Sequence, residues 1–284
     1  ATHRVTGAEV AIKQIDKRKH SWGTGASRRS LLAEVGILKQ CSHRNVVRLI
    51  EYFEDDRFLH LVMERMSHGE LFDQVRDTKL SEDDARGIFK QIALGIDYLH
   101  RKGIAHRDLK LENILVNEER HPEPGPDGAP VTFKCVKIAD FGVSRVLGAG
   151  SVAHTFAGTP LYCAPEVLSA RDSSDDGYTV AADIWSLGVI LYILFTGQPP
   201  FTEGKLGKTT VEQIKEGLVT FPEKLWRGVS ADGRSLVNQL LMVDPAERLT
   251  AAQVLRHRWL RRRAASRGDE SGDGAGAGAG AGGA

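Results

Sequence analysis

The chain has 284 residues, of which 41% are hydrophobic, enough to bury one large domain or two packed lobes. Its 38 Lys and Arg stand against 37 Asp and Glu, and a net charge of +1 excludes bulk attraction to nucleic acid or to a membrane surface. The three cysteines, Cys41, Cys135 and Cys163, are odd in number and lack metal-ligand spacing, so they read as reduced thiols of an intracellular protein. No signal peptide opens the chain, which does not start with Met and reads as a fragment.

In chain order, residues 9–15 (EVAIKQI) predict a strand, and the basic stretch 17–29, with Gly23 and Gly25, a solvated loop or a frayed helix start. Residues 30–40 place Leu31, Val35 and Leu38 at helical spacing, and residues 59–63 (LHLVM) predict another strand. The first part is thus a small sheet with one helix. From Ser81 the period is helical: Ser81 and Asp84 fit a capping box, and Ile88, Ile92, Leu94, Ile96 and Leu99 supply an apolar face. Strand-like pieces follow at 113–116 and 136–139, on either side of a Pro- and Gly-rich loop at 121–130. Beyond Pro165 the pattern is mostly helical. The apolar run 184–195 is too short to span a bilayer and predicts a buried core helix, so no membrane partner is expected. Arg256, Arg258, Arg261, Arg262 and Arg263 read as a solvated helix end or a nuclear import signal, not as a nucleic-acid surface, which favours the nucleus over the cytoplasm. Residues 263–284, arginine followed by Gly and Ala, predict a disordered tail.

Three strings carry chemistry. Residues 106–113, HRDLKLEN, lie on a loop between a helix and a strand. Asp108 and Asn113 bring two oxygen-bearing side chains near one point, with the Lys110 cation between them, the parts that phosphoryl transfer needs. Residues 140–142, DFG, end a buried strand with a carboxylate suited to a hard Mg2+ ion. Residues 10–13, VAIK, set Lys13 on a strand, where it can pair with Glu34 of the helix that follows.

These strings, with GTPLYCAPE at 158–166, DIWSLGVIL at 183–191 and Arg248, stand in the order of the protein kinase superfamily, which the chain resembles to about residue 260. GELFDQV, LGIDYLH and WSLGVILYILFTGQPPF resemble the calcium/calmodulin-dependent group, and the stretches around 155–168 and 240–260 its checkpoint kinase 2 branch. The resemblance implies an α+β bilobal fold over residues 1–262, with a β-rich lobe to about residue 66 and a helical lobe beyond it. It implies a serine/threonine kinase using ATP and Mg2+ on protein substrates, with homodimerisation during activation. By motif, Asp108 would accept the substrate hydroxyl proton, Lys110 would touch the transferred phosphate, Asn113 and Asp140 would bind Mg2+, and Lys13, paired with Glu34, would contact the α and β phosphates. The backbone of Glu64 to Met66, behind a gatekeeper Met63, would meet the adenine edge, with Ala11 and Leu115 on its two faces. Glu70 and Glu112 match positions that bind a substrate arginine in basophilic relatives. Arg107 would pair with a phosphothreonine, Thr155 and Thr159 both being regulatory candidates with Thr155 the better site, while Thr159 would contact Asp108 and Lys110 directly. His106 is expected to pack under Phe141, and Glu166 and Arg248 to form a buried ion pair.

Two departures stand out. Leu111 replaces a proline common in relatives, at a position expected to touch no phosphate. Counting back from Lys13 sets Ala1 on the strand next to VAIK, so the first strand and the glycine-rich phosphate loop are expected upstream of it. Without them the chain would bind Mg-ATP weakly, and a pseudokinase or scaffold is the alternative function.

Overall fold

The computed structural model describes residues 1–19, 35–36, 38–76, 79–120, 132–140, 160–169 and 179–261. Strand β1 (Val10–Asp16), β2 (Leu49–Glu54) and β3 (Phe58–Glu64) form an antiparallel sheet with β3 in the middle. The centre falls to β3 because Leu59 and Leu61 are almost fully covered, and an Asx turn directs the chain into it: the Asp55 carboxylate accepts the N–H groups of Arg57 and Phe58 at 2.8 and 2.7 Å. Pairing of Ala11 with Met63 and Lys13 with Leu61 fixes the register. Beside β1, Ala1 exchanges two hydrogen bonds of 2.9 Å with Val10, as expected of a residue on a neighbouring strand. β2 is an addition to the sequence-based elements. Its register shifts between Leu49 and Glu51, and that irregularity hides the alternation that marks a strand.

Val35 and Leu38 are helical and buried, as their spacing predicts, whereas Leu31 and Glu34 lie outside the described residues. The chain then enters a strap, residues 45–48, that is stitched to a second sheet. That sheet pairs β4 (Ile114–Arg120) with β5 (Thr132–Ile138), and both strands are longer than the pattern suggests. Asn113 itself sits in a 3-10 turn before β4, and Ala139 follows β5. Ile138 donates to the Asn45 carbonyl at 2.9 Å and accepts from Val47 at 2.8 Å.

Helix α1 (Leu71–Val75) leads to α2 (Glu82–Arg101). At the α2 N-cap, Ser81 Oγ accepts the Asp84 N–H at 3.1 Å and donates to Asp84 Oδ2 at 2.6 Å. The return arm of the expected box is therefore made to the hydroxyl instead of the backbone N–H. The buried face of α2 includes Ile88, Phe89, Ile92, Ala93, Ile96 and Leu99, and Leu94 lies off it. Gly95 is where α2 meets the strap: a Cβ there would stand 2.8 Å from the Asn45 carbonyl oxygen.

The remaining α-helices among the described residues are α3 (Pro165–Ser169), α4 (Val180–Thr196), α5 (Thr210–Lys215), α6 (Glu223–Trp226), α7 (Ala231–Leu240), α8 (Ala251–Arg256) and α9 (Arg258–Arg261). α4 is the central element, buried at every side chain from Ala182 to Thr196. No helix of the described residues is long and apolar enough to cross a membrane. Arg248 fastens α3 to the core. Its two terminal nitrogens hold Glu166 at 2.6 and 2.7 Å, and it donates to the carbonyls of Met242, Ala181 and Val243. The pair is buried on the arginine side only: the Arg248 side chain is 0% exposed and that of Glu166 18%.

Removing the acid leaves an enclosed guanidinium with carbonyl partners alone. Glu166→Ala is expected to lower the unfolding free energy by about 3 kcal/mol, read from urea denaturation, and adding Arg248→Leu to recover part of that loss.

Candidate active site

The loop 106–113 alternates. Leu109, Leu111 and Asn113 point inward and are buried, while Asp108, Lys110 and Glu112 stay partly exposed on the other side. Leu111 is fully covered, so an apolar residue suits that position. The alternation puts one acid, one base and a second acid along one accessible edge.

What holds the loop is a carboxylate from α4. Asp183, fully buried, accepts the backbone N–H of His106 at 2.8 Å and that of Arg107 at 3.1 Å, and takes the His100 imidazole at 2.7 Å. Arg107 has φ 69°, left-handed for a residue with a Cβ, at a cost of order 1 kcal/mol, and these bonds offset it. Burial works to raise the Asp183 carboxyl, but the His100 bond and the charges and N–H groups around it win and hold it below its ordinary value.

His106 is fully buried, and both ring nitrogens are engaged. Nε2 donates to the Ala139 carbonyl at 2.8 Å, so Nδ1 is the bare nitrogen, which accepts the Asp108 N–H at 3.2 Å. The ring is a neutral spacer between Asp108 and the residue before Asp140, and burial lowers its pKa accordingly. Phe141, its expected cover, lies outside the described residues.

Around this spacer the motif residues converge. Asp108 is gripped by Lys110 Nζ at 2.9 Å and by Asn113 Nδ2, which donates at 3.0 Å to its carboxylate and 2.6 Å to its carbonyl. Ala139 N–H donates to the Asn113 carbonyl at 2.8 Å, which brings Asp140 alongside. Asp140, itself left-handed at φ 58°, pairs with Lys13 of β1 at 2.8 Å. Lys13 thus has its described partner in Asp140, and the partner expected from sequence, Glu34, lies outside the described residues. The donor set fits a hard cation. Both amide hydrogens of Asn113 are spent on Asp108, leaving its amide oxygen, and the Asp140 carboxylate already carries an ammonium.

The remaining candidates are spread around this centre. Ala11 and Met63 are cross-strand partners at one end of the first sheet. Glu64 closes β3, and Met66 is half-buried just beyond it. Leu115 pairs with Lys137 on β5 and bridges to Glu70, whose side chain makes no cap on α1. Glu112 has a buried carboxylate oxygen with no hydrogen-bond partner among the described residues. Tyr162 lies against it: burial and then the Glu112 charge push the Tyr162 phenol up, and a backbone bond at Leu111 offsets part of this. Arg107 is half-buried. Thr155 and Thr159 lie outside the described residues. Sequence reasoning gave Asp183 only a place at the head of the string 183–191, beside the predicted core helix. The available signal was a charged residue in the first turn of an otherwise apolar helix, which needs partners.

A neutral buried His106 makes stability pH-dependent. The unfolded imidazole takes a proton below its ordinary value of 6.5, and the folded one resists it. The contribution of His106 is full above that value and is lost as the pH falls below it. Urea midpoints are expected to drop between pH 7.5 and 5.5, and to drop less for His106→Gln, which keeps one donor and one acceptor. Equal drops in the two proteins would assign the effect elsewhere.

Comparison with known proteins matches residues 1–260 to the protein kinase domain family. Among curated relatives, myosin light chain kinase A of Dictyostelium discoideum is 42% identical over 261 residues, 91% of this chain and 81% of its own length. The probable serine/threonine-protein kinase fhkE of the same organism is 40% identical, with 91% of this chain and 35% of that protein aligned. Serine/threonine-protein kinase 33 of Mus musculus is 40% identical over 92% of this chain and 51% of its own. The chain spans 34% to 40% of the length of the three fhk relatives it matches. The crystal structure of Rad53 1-466 in complex with AMP-PNP superposes with a TM-score of 0.68 at 34% identity, covering 91% of this chain and 60% of that one.

Proposed function

We propose that this chain, a member of the protein kinase domain family, is a serine/threonine kinase that moves the γ-phosphoryl group of ATP onto a substrate hydroxyl with Asp108 as the base. The observation that carries this reading is the unbroken path from Lys110 through Asp108 and Asn113 to Ala139, Asp140 and Lys13. The substrate oxygen attacks the γ-phosphorus, the bond from that phosphorus to the β–γ bridging oxygen breaks, ADP leaves, and the hydroxyl proton passes to Asp108. The Asp108 side chain is 46% exposed yet held by two donors, which suits a base that must meet an incoming hydroxyl and keep its direction. Lys110 offers positive charge beside that oxygen. Asn113 and Asp140 would hold Mg2+, which neutralises phosphate charge when bound. Ala11, Met63, Leu115 and the backbone of residues 64–66 would enclose the adenine.

For substrate choice, Glu70 and Glu112 form the proposed seat for an arginine three residues before the acceptor. The Glu112 side chain is partly exposed, and one of its oxygens has no hydrogen-bond partner among the described residues, which supports this because a guanidinium supplies paired donors to a carboxylate. For control, the checkpoint-kinase resemblance supports phosphorylation of Thr155, with Arg107 as counter-charge.

In the full-length protein, Asp108→Asn is expected to lower kcat by about two to four powers of ten while peptide affinity survives. Unchanged single-turnover rates would refute the role of Asp108. Glu112→Gln is expected to reduce the preference for arginine over alanine at that substrate position by about tenfold on a peptide array. An array that shows no arginine preference in the parent protein would remove the proposed seat.

A further inference from the structure

The last residue of β3 does more than end a strand. Glu64 N–H donates to the Arg48 carbonyl at 3.1 Å, and its Oε1 accepts the Arg48 N–H at 2.8 Å. Its other oxygen, Oε2, holds Lys137 Nζ at 2.8 Å. Lys137 belongs to β5 in the other sheet, where it pairs with Leu115 and stands three residues before Asp140. One carboxylate thus joins three segments: the end of the first sheet, the strap, and the strand that delivers Asp140. The side chains are 15% and 24% exposed, so water screens the pair only in part.

The neighbouring contacts make this bond directional. The strap is fixed to β5 by the two backbone bonds at Ile138, and Asn45 Nδ2 adds a third to the Val136 carbonyl at 2.9 Å. β5 cannot slide along the strap without breaking that ladder. The first sheet continues covalently from the strap at Leu49, where β2 begins and pairs with β3. At the far end of β3, Glu64 meets the strap through backbone and side chain at Arg48 and, among the described residues, reaches β5 through Lys137. On the far side Arg65, the next residue, pairs with Glu9 beside β1, an exposed contact of little weight.

We infer that Lys137 is a positioning residue for the nucleotide: its ion pair with Glu64 fixes the peptide groups of residues 64–66 against β4 and β5, and so against Leu115 and Asp140. This rests on the proposed reading that those peptide groups meet the adenine edge. A pre-set edge lowers the ordering cost of binding, so the effect belongs to nucleotide affinity and not to the phosphoryl step.

The test compares the full-length protein with its Lys137→Met, Lys137→Arg, Glu64→Gln and Lys137→Met/Glu64→Gln variants, in calorimetry with Mg-ATP and in peptide phosphorylation, with ATP varied at saturating peptide and peptide varied at saturating ATP. Lys137→Met is expected to raise KM and Kd for ATP about three- to tenfold, with kcat and the peptide KM within about twofold of the parent. Lys137→Arg restores the affinity, and the double variant is no worse than the worse single one. An unchanged ATP affinity in Lys137→Met overturns the inference, and so does a kcat that falls or rises with unchanged KM. Loss of thermal stability with a lower active fraction but parental KM assigns the pair a structural role only and also overturns it. If the parent binds no Mg-ATP at all, the proposed function fails and this inference falls with it; if the parent binds and turns over normally, only the inference is at stake.

Discussion

The site depends on one buried carboxylate. Asp183 sits in the first turn of α4, a helix with almost no exposed surface, and a charge in that place persists only if its surroundings satisfy it. The partners are two successive N–H groups of the loop that carries Asp108 and the ring of His100 on α2. The need of the acid for donors and the need of the loop for acceptors are the same need. The helix core can stay apolar, and the left-handed turn at Arg107 can persist, because each compensates the other. From this anchor the order passes outward: His106 reaches Ala139, Ala139 reaches Asn113, and Asn113 reaches Asp108.

The electrostatic layout follows depth. At the bottom lie Asp183, held ionised by hydrogen bonds and neighbouring charge against its burial, and His106, held neutral by burial. Nearer the surface, Asp108, Lys110, Asp140 and Lys13 form two ion pairs at 2.9 and 2.8 Å that water can still reach. The lower layer sets geometry because its bonds are buried and unscreened by water. The upper layer can exchange partners, since a substrate hydroxyl or a phosphate replaces contacts of modest strength. That division suits a reaction in which the protein positions charges and does little covalent work.

The sequence makes the upper layer legible and hides the lower one. Lys13, Asp108, Lys110, Asn113 and Asp140 stand in short strings whose polar residues interrupt apolar ones, so their chemistry can be read locally. Asp183 meets His100 and His106 from 83 and 77 positions away, and Lys137 meets Glu64 from 73, separations that no periodicity reports. Similar reasons apply to the fold. α2 and α4 are long and strongly patterned, and both are found where the spacing puts them. β2 carries a bulge that shifts its alternation, and β4 and β5 run on through polar residues that the hydrophobic pattern discards.

The double engagement of His106 has a consequence for chemical labelling. A reagent that acylates imidazole needs a nitrogen lone pair and a path to it. His68 is exposed and open to such a reagent. In His106 one nitrogen bears the hydrogen given to Ala139, and the other is taken by Asp108 N–H inside a fully covered pocket. Its modification must wait for the loop to leave α4. The rate at which that one ring is acylated, set against the rate at His68, would report the opening free energy of the catalytic loop separately from global unfolding.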